Sequence, residues 1–429
     1  KGNVAITAGN EIDFATTASD VNGTLTVTST NAAAGDGNGF IDVDVALVVD
    51  NDVTITAAEI DAEAAITSNK DDIVMTVTND INLASTTTAT AGDVTIAVTG
   101  TVGMDLVVAA DATGLITAAN DVTISADDVT VGDIVSSAAG NVVITANNDI
   151  TATGDITTNT GSGSITITSN KAWVNGAAGI TLSDGETLDA DNDVTITAAS
   201  GAEIVMGSAA INSSAKGDIK ITGGDIDGSG NITATLGDVQ LNSTNDSETS
   251  TLSGTITADA GAITTLGGKY AISDLDANAG GIAIAGDSQG TFGALQTTGS
   301  SVRITSTNST QGTTGDVSIT TIDSPTVLAQ GAGDYSLGTV SSSTGNAVAI
   351  TTGDGNDVMT LTGSDANEVY TVSTGNGNDQ VTNTVAAATS SINLGAGDDT
   401  YTPTAANGKG SVDMGTGTAD ILALSGDYT

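Results

Sequence analysis

Along most of the chain, apolar and polar positions alternate in runs of only four or five residues, bounded by Gly, Asn and Asp. Val53-Thr54-Ile55-Thr56-Ala57 and Val122-Thr123-Ile124-Ser125-Ala126 are typical. A period of two places Val and Ile on one face of a strand and Thr or Ser on the other. β-branched side chains suit a pleated surface, so the pattern predicts short β-strands throughout. No apolar run approaches the ~18 to 20 residues that a membrane-spanning helix needs, and no membrane span is expected.

One phrase keeps returning: Gly or Asn, then Asp or Asn, then Val or Ile, any residue, an aliphatic residue, and Thr, Ala or Ser. It starts at Asn51, Gly92, Asn120, Asn192, Gly217, Gly237 and Gly315, and in looser form at Gly2, Asp72, Gly140 and Gly163. Neighbouring copies lie 20 residues apart from Asn120 to Gly140 and from Gly217 to Gly237, and wider gaps mark insertions. Asn-Asp or Gly-Asp supplies the turn, because these residues tolerate the left-handed region and bond back to the backbone. So short a strand cannot bury its own apolar face. Stacked at the ~4.8 Å strand spacing, the copies would form a parallel β-solenoid, on the order of 20 coils and roughly 100 Å long. Strands recurring every ~8 to 12 residues also suit a sandwich or barrel. The constant sense of the phrase favours the solenoid.

Gly154-Asp155-Ile156-Thr157 and Gly163-Ser164-Ile165-Thr166-Ile167-Thr168-Ser169 resemble the repeats of filamentous-haemagglutinin-like adhesins, which implies a right-handed β-helix at a bacterial surface. The likeness runs over 1–345, and that family's secretion-domain signature is not visible. Residues 346–429 differ. Gly353-Asp354-Gly355-Asn356-Asp357 returns as Gly375-Asn376-Gly377-Asn378-Asp379 and Gly395-Ala396-Gly397-Asp398-Asp399, with a degraded copy ending at Asp420. Each is followed, two places past the Asp, by Met359, Val381, Tyr401 or Leu422. The pattern Gly-x-Gly-x-Asp-x-apolar resembles the calcium-binding repeats-in-toxin motif of secreted β-rolls. Thr352, Thr374, Leu394 and Met414 stand where the full motif has another Gly. Leu361-Thr362-Gly363-Ser364-Asp365-Ala366-Asn367-Glu368 is similar to the phrase that opens such blocks.

Glycines let such a turn expose carbonyls and Asp adds charge, giving the oxygen cage that Ca²⁺ prefers. One loop is half a cage, so adjacent coils must share the ion. The expected ligand set is Gly353, Gly355, Asp357, Gly375, Gly377, Asp379, Gly395, Gly397, Asp399 and Asp420, all on one edge. The intervening turns at 384–390 and 405–409 lack the motif. The bland alternative is that Gly, Asn and Asp are simply corner formers.

Composition narrows the chemistry. There are 52 Asp plus Glu against 8 Lys plus Arg, a net charge of −44, and no His or Cys. Ser-His-Asp and Cys-His catalysis, the usual zinc and haem sites and disulfides are therefore excluded. With so few basic residues there is no patch for a phosphate backbone, and no nucleic-acid partner is expected. A 38% hydrophobic content and only 2 Pro argue against disorder. Such charge suits an extracellular surface rich in divalent cations, and the opening Lys1 reads as a processed or excised piece.

The remaining signals are weaker. Asp36-Gly37-Asn38-Gly39-Phe40-Ile41-Asp42 is similar to the middle of an EF-hand loop but lacks its first and last ligands and flanking helices. Asp52, Asp93, Asp121, Asp193, Asp218 and Asp238 read as solvated turn residues, with a cation ladder as the alternative. The pairs Thr54/Thr56, Thr166/Thr168 and Thr195/Thr197 would stack into flat threonine arrays like those of ice-binding solenoids. Trp173 and the Tyr residues are too scattered for a sugar platform, and Lys216 and Lys220 near Asp218 make a poor lyase site. No carboxylate pair stands out for a glycosidase, and no enzyme activity is expected. Asn22-Gly23-Thr24, Asn231-Ile232-Thr233 and Asn308-Ser309-Thr310 are chance-level glycosylation sequons. The resulting expectation is an extracellular, calcium-stabilised structural protein of a microbial surface, an S-layer, filament or matrix component, that associates with itself. An adhesin shaft or segment binding a surface glycan, lipopolysaccharide or a host receptor is the alternative. A β-helical polysaccharide enzyme or an ice-binding protein is more remote.

Overall fold

The computed structural model describes residues 2–15, 19–30, 39–100, 104–109, 114–159, 161–171, 178–245, 248–286, 290–298, 300–306, 317–331, 333–343, 347–363, 369–385, 390–403 and 410–424. Trp173, Asp36, Asn308, Gly315 and the 364–368 part of the block-opening phrase lie outside them. The chain is an all-β parallel β-solenoid, with no helix among the described residues and so none able to cross a membrane. It forms two compact units, 1–230 and 231–429, and the change of motif at 345/346 falls inside the second.

In the first unit each coil contributes a strand to each of three faces. Val122–Ala126, Asp128–Val131 and Ile134–Ser136 make one coil, and Val142–Ala146, Ile150–Ala152 and Ile156–Thr158 the next. The second face is a 10-stranded sheet. All pairings are parallel and join equivalent residues: Val122 to Val142 and Ile124 to Ile144 on the first face, Ile134 to Ile156 on the third. Like therefore stacks on like. Met75 lies between Ile55 and Ile96, and all three are fully buried. The intervening Thr positions form outward columns, as the two-residue period requires.

At the corners the strand ladder breaks, and backbone N–H groups need other acceptors. The turn residues supply them, each side chain capping the next coil. Asp72 Oδ1 accepts the N–H of Asp93 at 2.8 Å, Asp93 that of Asp121 at 3.0 Å, and Asp121 that of Asn141 at 2.7 Å. Asp193 does the same for Asp218 at 2.9 Å, and in the second unit Asp238 for Ala262 at 2.7 Å. These aspartates are thus structural acceptors rather than merely solvated turn residues. Buried Ser68, Ser136 and Ser213 work in the opposite sense, donating to corner carbonyls of Asn51, Asn120 and Asn192 at 2.6, 2.7 and 2.8 Å.

The second face ends at Ile226–Asp227, and coils of the second unit carry two strands. Long strands such as Thr249–Ala258 and Lys269–Ala277 bend through a register shift between Leu252 and Thr255. A bulge of this kind lets one strand turn a corner. Tyr335 and Tyr370 fill the core here, their hydroxyls donating to Gln330 O and Thr362 O at 2.6 Å each.

Because stacked aliphatic columns leave no room for collapse, Ile144→Ala should cost about 2–5 kcal/mol. Thr157→Ala, on an outward position of the third face, should stay within about 0.5 kcal/mol. Urea midpoints followed by circular dichroism check both.

Candidate metal centre

The Gly-x-Gly-x-Asp loops lie directly over one another. The Gly355 N–H donates to Asn376 O at 2.7 Å and the Gly377 N–H to Ala396 O at 2.8 Å. Gly377 has φ +140° and Gly397 φ +145°, and a Cβ on either would stand 1.7 Å from the carbonyl oxygen of the glycine one coil earlier. Conformation and close stacking both demand glycine there. Past the Asp, Met359, Val381, Tyr401 and Leu422 form one column. The first three are buried, whereas Leu422 in the terminal coil is 54% exposed.

Asp357, Asp379 and Asp399 turn inward and are each 0% exposed. Their Oδ1 atoms accept the N–H of the residue one coil earlier: Tyr335 at 2.9 Å, Asp357 at 2.8 Å and Asp379 at 2.9 Å. Asp420, exposed in the last coil, caps Asp399 N–H at 3.1 Å. The adjacent column runs the other way. Asp334 reaches forward to Asn356 N–H at 2.6 Å, Asn356 to Asn378 at 2.8 Å, and Asn378 to Asp398 at 2.8 Å. Two neighbouring positions per loop thus stitch a coil to both its neighbours.

The three buried carboxylates share a defect. Oδ2 of Asp357, Asp379 and Asp399 is buried without a hydrogen-bond partner. Thr352 and Thr374 stand beside the first two, but their hydroxyls donate to Thr374 O and Leu394 O at 3.1 and 2.9 Å. Burial pushes Asp357 up to about 7, against the pull of Thr352 and the Tyr335 N–H and with repulsion from Asp379 and Asp334. Burial likewise raises Asp379 to about 6, and Asp399 is also raised. Each orphaned oxygen therefore calls for a proton or a cation. An all-oxygen set of carboxylates and loop carbonyls fits a hard cation such as Ca²⁺. Among the loop carbonyls, Gly375 O and Gly395 O already accept Ala396 N–H and Thr416 N–H at 3.0 and 2.9 Å, and a carbonyl keeps a second lone pair.

All the expected residues are brought to this one corner in successive coils. The intervening turns at 386–389 and 405–409 lie outside the described residues. The sequence reading missed the coil before the first motif. Gly331 and Gly333 sit under Gly353 and Gly355, and Tyr335 occupies the Asp position. The signal was available in Gly331-Ala332-Gly333-Asp334, disguised by the tyrosine.

Other carboxylates gather at the surface. Asp13, Asp42 and Asp44, and separately Asp52, Asp71 and Asp72, bring three ligand atoms within 4.8 Å of one another, which the inward column, spread over successive coils, does not. None of the six is buried. Asp42 is raised to about 6, by partial burial first and by Asp44 next. Two ion pairs occur among the described residues, Lys70–Asp50 at 3.0 Å and Lys171–Asp149 at 2.6 Å. Comparison with protein-family models, curated proteins and solved structures finds no match.

An aspartate held above its ordinary value favours the protonated fold. That stabilisation is complete below the unfolded value near ~4 and fades as pH rises through the folded one. Without divalent cations, urea stability should therefore fall between about pH 4 and pH 7. Asp357→Asn keeps an oxygen for Tyr335 N–H and removes the charge, so at pH 8 in chelator it should raise the midpoint. Asp357→Ala orphans that N–H and should cost about 1–3 kcal/mol.

Proposed function

We propose that this chain is an extracellular structural protein of a microbial cell surface, an S-layer, filament or matrix component, and that Ca²⁺ locks the coils of its second unit. The reading rests on one observation. Three fully buried aspartates in consecutive coils each have one oxygen bonded to a backbone N–H and the other unpartnered. Charged groups of one sign do not stay buried in a column unless something neutralises them. Ions would sit between adjacent coils, each shared by neighbours in the series Asp357, Asp379, Asp399 and Asp420, with the loop glycines 353, 355, 375, 377, 395 and 397 offering carbonyls. Bound Ca²⁺ supplies positive charge; the chain supplies spacing, by fixing each carboxylate on the N–H of the preceding coil.

A mechanical role follows from the same design. A ligand that binds only the stacked state stabilises it by mass action, about 2.7 kcal/mol at a hundredfold excess over Kd. The chain would then be completed where calcium is plentiful, outside the cell. The net charge of −44 works in the same direction, since self-repulsion weakens as cations gather.

Calcium titration by calorimetry, paired with thermal unfolding in calcium and in EGTA, tests this. Calcium should raise the melting temperature of the wild type, and chelator should reverse the shift. The triple variant Asp357→Asn, Asp379→Asn, Asp399→Asn should keep its β-structure and lose the calcium increment. A wild type that melts identically in both buffers and takes up no calcium would sink the reading.

A further inference from the structure

Acidic residues are not spread evenly over the first unit. Residues 1–230 carry 32 Asp plus Glu against 5 Lys. On the second face, strands such as Phe40–Val43, Glu59–Ala62 and Asp128–Val131 present carboxylates to solvent. The first face, from Val4–Ala8 to Ile219–Gly223, contains no acidic residue in any strand. Its outward positions form two columns. In one, Thr123 stacks on Val143 and Val143 on Thr166; in the other, Thr145 stacks on Thr168 and Thr168 on Thr197. The single charge in those strands is Lys220, in the column of Thr195.

We propose that this first face is a self-docking surface, on which a second copy of the chain seats face to face. The proposal deepens the structural role above but is independent of the aspartate column, which lies in the other unit. Two strongly acidic molecules repel through any surface lined with carboxylates, and like charges brought together across an interface cost several kcal/mol. The acid-free face is where two copies meet without that cost. Its size also suffices. Ten strands of about five residues, at ~4.8 Å and ~3.3 Å per step, cover roughly 800 Å², close to the ~800 Å² per partner of a stable interface. The threonine methyls and Val143 give apolar contact, and the hydroxyls can donate and accept among themselves. A two-fold axis along the stack puts the corner column of Asp93 and Asp121, at the start of the strands, against the opposite edge at Val98 and Ala126. The two copies of the Asp93 and Asp121 column are thereby kept apart; at the edge each meets, Asp127 is buried and Asp128 lies on the second face.

Analytical ultracentrifugation of the full chain tests this, in EGTA and in calcium and over a range of salt. The wild type should dimerise in EGTA without any need for calcium, and more strongly as salt or calcium screens residual repulsion. Thr123→Glu with Thr166→Glu should weaken association at least about tenfold without changing the circular dichroism. Thr151→Glu, outward on the second face, should leave it unchanged. Should the double variant not fold, the single variant Thr166→Glu replaces it, with weaker association again expected. A wild type that stays monomeric throughout overturns the proposal, including one that instead adsorbs to ice or to an insoluble polysaccharide. So does a folded face variant that associates as the wild type does. Dimers that form in EGTA would leave this inference standing while the calcium titration decides the other.

Discussion

A solenoid coil satisfies its strands through the coils on either side, but at every corner the ladder breaks and backbone N–H groups lose their acceptors. Everything else in this chain accommodates that constraint. Asp and Asn are short, carry an oxygen acceptor and tolerate turn geometry, so one at each corner both makes the turn and caps the next coil. The steps of 2.7 to 3.0 Å from Asp72 through Asp93 and Asp121 to Asn141 form one such continuous side-chain ladder. Much of the acidity is in this sense a structural material, chosen for its acceptor and carrying charge as a consequence.

That consequence is handled differently in the two units. In the first, most corner carboxylates remain at or near the surface, where water and counterions screen them, Asp127 and Asp225 being buried, and one face is kept free of acid. In the second, Asp357, Asp379 and Asp399 reverse direction and go inside. Each still caps an N–H, but its second oxygen is left in a place with no donor. A neutral acceptor such as Asn would serve the cap alone, as Asn356 and Asn378 do one position earlier. Aspartate at the buried position is the choice that gains from a cation.

The sequence made the coil legible because its period is short and its chemistry local. A Val-x-Ile run has one inward face, and a recurring Asn-Asp or Gly-Asp fixes where it turns. The stacking of the Gly-x-Gly-x-Asp loops followed from spacings of 20 and 22 residues. What stayed hidden depends on neighbours in space. Nothing in the residue Asp357 itself distinguishes it from Asp93; its burial depends on the coils stacked on either side. The loss of the second face after Asp227 was equally silent, since long strands such as Thr249–Ala258 keep the same two-residue alternation through their bend. Tyr335, standing where an Asp is expected, concealed the first coil of the loop stack until its N–H was found on Asp357.

Amide hydrogen exchange, resolved at Tyr335, Asp357, Asp379 and Asp399, probes the inward column most directly. If these N–H groups are held by carboxylates of the following coil, they will exchange in EGTA as slowly as neighbouring strand amides, and more slowly still once calcium is added. Exchange at the rate of open loops, unaltered by calcium, would mean that the carboxylates neither cap the backbone nor gather an ion.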